Sequence, residues 1–423
     1  MSHTISPRDR RRAFALNVVN GALYTLAETL MDANLVLVLF VSQLTSSNLL
    51  LGAMSALNNG GWFLPQFFVS GKVQSRPRKI EVYWAVSGIR LVAWLALAAV
   101  LWFVKQPSVL LGAFFVAFAV MKVMTGLGGI PFLEITAKTV LPEHRGRLFA
   151  WRFFIGGLLG LGGSRIVRWA LMQPLPYPRD YSILIFISSL IAAGSFVAFS
   201  LIREPASEAR SPESLAVQLR RAHEILRTNA DYRRYLLGRA CLFLGAIAFP
   251  FYTLLAQQVL GAPLKVAGDY LLATTLTTLL VNLPWGTLVD QRGKRWGLQL
   301  AAFGWVITAC FAILLVWVAR AGYLANLPFP PYFLAYPLFV LRGIFNPLES
   351  VCGNSLLLEI APEHDRTLYL GYANTLLGVV LLLSGLGGGL VDLFGLPALF
   401  AVTAGLNLLA LVFVRGIKGF RSG

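Results

Sequence analysis

The sequence predicts an all-α integral membrane protein of about twelve transmembrane helices in two pseudo-symmetric six-helix bundles. The length of one apolar stretch sets the scale, since about 20 apolar residues cross the hydrocarbon core as a helix. Three observations carry the prediction. Long apolar stretches separated by short basic loops fill the chain from Ala13 to Val414. Hydrophobic residues make up 57% and charged residues 13%, against roughly 25% charged in a soluble domain. The loop chemistry of the first half recurs in the second. Backbone groups inside lipid must be satisfied within the segment, which favours helices.

The spans read from the apolar stretches are 13–42, 47–70, 80–104, 107–141, 148–173, 180–202, 235–260, 264–289, 296–319, 331–361, 367–391 and 396–416. The first is too long for a signal-peptide core and is expected to remain as a span. The chain carries 36 Lys and Arg and a formal charge of +17. Most of these cations fall on alternate loops, among them Arg8, Arg10, Arg11, Arg12, Lys72, Arg76, Arg78, Lys79, Arg145, Arg147, Arg292, Lys294 and Arg295. Lys105, Arg165, Arg168, Arg179, Lys265 and Arg320 fall on the opposite side, and Arg90, Lys122 and Arg342 are left deep inside spans. The positive-inside rule then puts both termini in the cytoplasm, as an even number of spans requires. The charge therefore reads as topology, with the lipid bilayer as partner and no nucleic acid. Compact loops fit a bacterial inner membrane.

Cys241, Cys310 and Cys352 lie in apolar stretches without metal-ligand spacing, so they read as small core residues. His3, His144, His223 and His364 fall in loop segments with no neighbouring ligands. No metal and no cofactor is expected.

Residues 203–234 are polar and charged and read as a cytoplasmic linker, with 212–228 able to form an amphipathic surface helix. It divides an N-terminal bundle, 1–202, from a C-terminal bundle, 235–423. The two are related by sequence. Leu141, Pro142, Glu143, His144 and Arg145 follow the fourth span as Ala361, Pro362, Glu363, His364 and Asp365 follow the tenth, and the same offset aligns Lys122 with Arg342. Such repeats are a common way to build a transporter.

After the eighth span, Gly286, Leu288, Asp290, Gly293, Lys294 and Arg295 match the pattern G-x-L-x-D-x-x-G-R/K-R/K. In this the chain resembles the major facilitator superfamily. The first-half copy, beginning at Gly71, has Ser75 in the Asp position. Lys122, Thr125, Gly126, Gly128 and Gly129 resemble the family's span-four motif R-x-x-Q-G-x-G-A. Gly156, Gly157, Gly160, Gly162 and Gly163 resemble the glycine-rich fifth span of its antiporters, without the diagnostic Gly-Pro. The resemblance implies a monomeric carrier working by alternating access, with spans one, four, seven and ten lining the cavity. It also implies a gating role for the loop residues Gly286, Asp290, Arg292 and Gly293, together with Arg147. Asp290 is expected to dock on a helix end, where a carboxylate is stabilised.

Within the spans, Glu28 and Asp32 stand four residues apart, the spacing of one helix face. Carboxylates at membrane depth mark ion or proton pathways by default, so the pair is assigned to proton coupling. Asn17, Asn20 and Tyr24 extend the polar face. Lys122 and Arg342 are the basic counterparts in spans four and ten. Arg342, Asn346 and Glu349 follow helical spacing on span ten. Each of these charges reads either as substrate contact or as an ion pair locking helices. Glu134 and Lys138, also four apart, read as an interfacial salt bridge. Neutral candidates for the cavity are Ser55, Asn58, Asn59, Trp62 and Gln66 in span two and Thr274, Thr278 and Asn282 in span eight. Weaker ones are Tyr252, Gln257 and Gln258 in span seven and Tyr372 and Asn374 in span eleven. Each can equally be an interhelical hydrogen bond.

The leading reading is a proton-coupled secondary transporter of a small organic solute, with export favoured by the glycine-rich fifth span. Uptake of a sugar, carboxylate or peptide-like solute is the alternative. A membrane-embedded transferase or an assembly factor ranks lower. No Walker A loop, H-E-x-x-H or G-x-S-x-G motif is present.

Overall fold

The computed structural model describes residues 6–54, 56–58, 60–61, 76–206, 220, 224–362 and 366–418. Among them every regular element is helical. They are α1 (Pro7–Leu30), α2 (Val36–Ser42), α3 (Ile80–Phe103), α4 (Pro107–Thr139), α5 (Pro142–Ala170), α6 (Arg179–Ser200), α7 (Ala230–Gly245), α8 (Ala248–Leu254), α9 (Ala267–Arg292), α10 (Lys294–Arg320), α11 (Tyr336–Ile360), α12 (Arg366–Leu383), α13 (Gly387–Phe394) and α14 (Leu396–Arg415). The described residues of 48–61 are helical as well. Among the described residues, eight helical segments are long and apolar enough to cross a bilayer.

Local chemistry fixes the helix ends. Ser6 caps α1 by accepting the Asp9 N–H at 3.1 Å, and Asn229 caps α7 by accepting from Tyr232 at 2.9 Å. Proline opens α4 and α5, where its missing N–H costs nothing. Gly293 separates α9 from α10 at φ 86° and ψ 154°, a backbone region open essentially to glycine alone. This is the second glycine of the loop pattern, and its geometry explains why glycine stands there.

The first span is not one helix. It breaks between Leu30 and Val36, so Asp32 lies in a non-helical turn and does not continue the Glu28 face. Asp and Asn side chains compete for backbone hydrogen bonds and weaken a helix here. The freed carbonyl of Asn34 accepts from Thr253 Oγ1 at 2.7 Å. Irregular backbone at membrane depth is tolerated when protein supplies such partners. The seventh span is likewise broken. It starts at Ala230, earlier than the apolar pattern indicates, and ends in a π-helical turn at Leu255–Val259.

By contact the chain forms two compact units: Met1–Asp32 with Gly61–Glu213, and Ala33–Gly60 with Ser214–Gly423. In the first, α1 packs on α5 and α6, and α3 packs on α4 and α6. In the second, α7 packs on α12 and α14, and α10 packs on α11 and α14. The same neighbour pattern thus occurs twice, as the sequence repeat predicts. The segment 33–60 joins the second unit through Thr253, through Ser42 to Gln257 at 3.3 Å and through Asn48 to Asp392 at 2.7 Å. Gly52 sits so close to the 385–388 backbone that a Cβ there would lie 2.8 Å from Gly385 O. Cys310 is exposed rather than core, while Cys352 is buried.

Candidate functional site

The first unit gathers its buried charges around α1. Lys122 Nζ on α4 lies 3.4 Å from Glu28 Oε2. The Lys122 side chain is 8% exposed and that of Glu28 is 37% exposed. Glu28 is therefore tethered deep in a span yet accessible. Tyr24, one turn back, donates to Glu28 Oε1 at 3.2 Å and accepts from Arg90 Nη2 of α3 at 3.0 Å. The four side chains form one chain of contacts across three helices.

Asn17 and Asn20 do not extend a cavity face. Both are buried and bonded within the bundle. Asn17 donates to Thr136 Oγ1 at 2.9 Å, and Asn20 donates to Ser195 Oγ at 2.8 Å. Arg152 of α5 donates to Asn20 Oδ1 at 3.0 Å and also bonds Asn17. The predicted Glu134–Lys138 bridge is replaced by two others. Glu134 pairs with Lys79 at 3.5 Å, and Lys138 pairs with Glu204 at 2.5 Å. The Glu204 carboxylate also accepts the Lys79 and Ile80 N–H groups at 2.7 Å, capping α3. An acid on a helix N-terminus outcompetes an i,i+4 partner because it satisfies orphan donors as well as a charge.

The second unit holds a tighter cluster. Glu349 of α11 accepts from Arg239 Nη1 at 2.9 Å through one oxygen and from Trp305 Nε1 at 2.8 Å through the other. The Arg239 and Glu349 side chains are only 5% and 10% exposed. Arg239 stacks on Phe243 at 4.4 Å. Asn346 is exposed and Arg342 half-buried, so the three residues predicted for one face of span ten have different surroundings. Pro347, inside α11, stands between them, and proline kinks a helix. Arg342 lies over the Phe249 ring at 5.6 Å.

Other predicted positions divide. Tyr252 is core, 1% exposed and stacked on Phe400. Thr274 and Thr278 donate to carbonyls of Phe339 and Gly343 at 3.1 Å, stapling α9 to α11. Asn282 is exposed, and Asn58 and Asn374 are half-buried. Gln257 holds Ser42. Asn59, Ser55, Trp62, Gln66 and residues 71–75 of the first-half loop copy lie outside the described residues. Asp290 is exposed. Arg292 stacks on Trp296 at 5.0 Å and Arg147 on Phe14 at 5.6 Å.

Sequence reasoning misses Arg239 as a buried charge because the apolar pattern begins the span too late. From Ala230 the residue lies about two and a half turns in. Trp305 carries no signal, since an apolar helix hides which indole has a partner.

The model of the Major Facilitator Superfamily matches residues 235–419. The match covers the C-terminal half of the chain, the half that carries the loop pattern at Gly286–Arg295. Solved transporters share its fold over nearly its whole length. A mutant of the nucleoside transporter NupG is similar at TM-score 0.72 and 12% identity, covering 97% of this chain and 100% of that one. An auto-inhibited POT family peptide transporter is similar at TM-score 0.70 and 13% identity, with 95% and 96% covered. A D-xylose–proton symporter is similar at TM-score 0.67 and 16% identity, with 96% and 97% covered. No curated protein matches it in sequence. The family match and the eight long apolar helices agree in pointing to a multi-pass membrane protein.

Proposed function

We propose that this protein is a proton-coupled secondary carrier of a small organic solute and that Glu28 carries the proton. One observation supports the reading above others: Glu28 is ion-paired with buried Lys122 at 3.4 Å while more than a third of its side chain stays accessible. A lone carboxylate at membrane depth is unfavourable. Glu28 therefore has two favourable states, ionised on Lys122 or neutral without it. Protonation frees the Lys122 ammonium, and an anionic group of the solute can take its place. Asp32 is assigned an auxiliary role at the turn. The carrier works by alternating access as a monomer, with bundles 1–202 and 235–423, the 203–234 linker and both termini in the cytoplasm of a bacterial cell. Asp290, Gly286, Gly293, Arg292 and Arg147 act in gating, and Arg342 and Asn346 with Asn58, Asn282 and Asn374 face the solute.

Export is the proposed direction, from the glycine-rich α5. Gly156 and Gly163 seat α5 against Thr25 and Leu26 of α1, where a Cβ would come within 2.7 and 2.8 Å. Packing thus accounts for these two glycines, so vesicle orientation decides direction.

The test is reconstitution in liposomes with a trapped pH-sensitive dye, challenged with uridine, D-xylose, alanyl-alanine and a panel of organic cations and acids. The expected result is proton movement driven by one solute. Glu28→Gln should abolish that movement and retain solute exchange. Solute flux without proton movement, unchanged in Glu28→Gln, would reject the coupling.

A further inference from the structure

Arg90 has no role in the reading above, and helix packing does not account for it. The residue is 7% exposed in the middle of α3. Among the described residues no carboxylate lies within ion-pair distance of it, and its Nε has no hydrogen-bond partner. The guanidinium lies over the Tyr24 and Phe196 rings at 5.2 and 4.7 Å. Nη2 donates to Tyr24 Oη at 3.0 Å, and Tyr24 passes a hydrogen bond on to Glu28 Oε1 at 3.2 Å. Arg90 also lines a cavity with Tyr24, Glu28, Trp94, Ser188 and Phe196. That cavity has room for about one water molecule.

A buried donor without an acceptor is costly, and a polar, water-sized cavity beside it is where an ordered water sits. The helices around Glu28 present Tyr24 from α1, Arg90 from α3, Lys122 from α4 and Ser188 from α6. Ser188 donates its proton to Ala27 O at 3.0 Å and keeps its lone pairs for an acceptor role. Arg152 on α5 bonds Asn17 and Asn20 instead.

We propose that Arg90 is a positioning residue for the coupling acid, acting on Glu28 through Tyr24 and through one water held in this cavity. It fixes one carboxylate oxygen while Lys122 holds the other. When Lys122 turns to the solute, this arm keeps the carboxylate in place to receive its proton. The inference rests on Glu28 as the coupling acid.

Infrared difference spectra of the full chain in nanodiscs, taken between acid and alkaline pH, test it without a solute. The Glu28 carboxyl band is the one lost in Glu28→Gln. Tyr24→Phe keeps the ring under Arg90 and removes only the hydroxyl. It should move the Glu28 band to higher frequency, as the loss of a hydrogen bond does. Arg90→Lys should move it less than Arg90→Gln, and both should remove a sharp water O–H band that shifts in water labelled with heavy oxygen. A Glu28 band at its wild-type position in Tyr24→Phe and in both Arg90 variants would overturn the inference and leave the coupling intact. Absence of any Glu28-dependent band in the wild type would reject the coupling reading, and this one with it.

Discussion

Both units pair a carboxylate with a buried cation, with the charges exchanged. In the first, the acid stands on α1 and the cation on α4; in the second, the cation stands on α7 and the acid on α11. The neighbour pattern makes α1 the counterpart of α7, and α4 the counterpart of α11. The two pairs differ in closure. Arg239 and Glu349 meet at 2.9 Å almost fully buried, and Trp305 occupies the second oxygen. Glu28 and Lys122 stand 3.4 Å apart with the acid accessible. The lesson is that a charge in a span does not announce its use; the closeness and burial of its pairing do. A close, fully buried pair is a lock, and a looser, half-open one can exchange a proton.

The largest effect should come from opening the lock. Glu349→Ala leaves Arg239 buried without its counter-charge, and such uncompensated charges cost about 3–5 kcal/mol. The variant should lose most of its monodisperse yield in detergent and unfold well below the wild type, with a changed Trp305 emission. Wild-type thermal stability in Glu349→Ala would dissolve the contrast between the units.

A smaller effect should follow from disturbing the lock by shape alone. A Cβ at Gly353 would lie 2.6 Å from the Arg239 Cζ, and overpacking of this kind costs about 1–3 kcal/mol. Gly353→Ala should lower thermal stability accordingly. Gly162→Ala meets nothing within 4 Å and exchanges a poor helix former for a good one, worth up to about 1 kcal/mol. It should leave stability unchanged or raised. Equal behaviour of the two alanines would mean that the guanidinium yields freely and that the pair is no lock.

Much of this architecture is legible in the sequence. The apolar runs place the helices, and the offset that pairs Lys122 with Arg342 foretells the duplicated neighbour pattern. Glu28 and Lys122 both stand out as charges at depth. Their pairing does not, because partners on different helices depend on helix rotation, which periodicity leaves open in a span that is apolar nearly all round. Spacing misplaces Asp32, since four residues imply a shared face only if the helix continues, and its own side chain helps end it. Asn17 and Asn20 look like cavity residues because a polar stripe reads alike whether it faces water or a buried Arg152. Pairing Glu134 with Lys138 fails for a related reason: local spacing ignores Glu204, far along the chain, which offers its charge to a helix terminus as well.

The smallest stability effect should fall on the open pair, and it is the most telling. Glu28 is more than a third exposed, so its pairing is discounted toward the range of about 0–1 kcal/mol seen for solvated pairs. Glu28→Gln keeps the side-chain volume and a hydrogen-bonding group for Tyr24. Thermal unfolding should therefore stay close to wild type, in contrast to Glu349→Ala. A double-mutant cycle with Lys122→Gln should give a coupling of about 1 kcal/mol or less, with proton movement lost in both single variants. A coupling as large as the Arg239–Glu349 one would make Glu28 a second lock. Proton exchange would then have to be sought elsewhere, first at Asp32 in the broken turn of the same span.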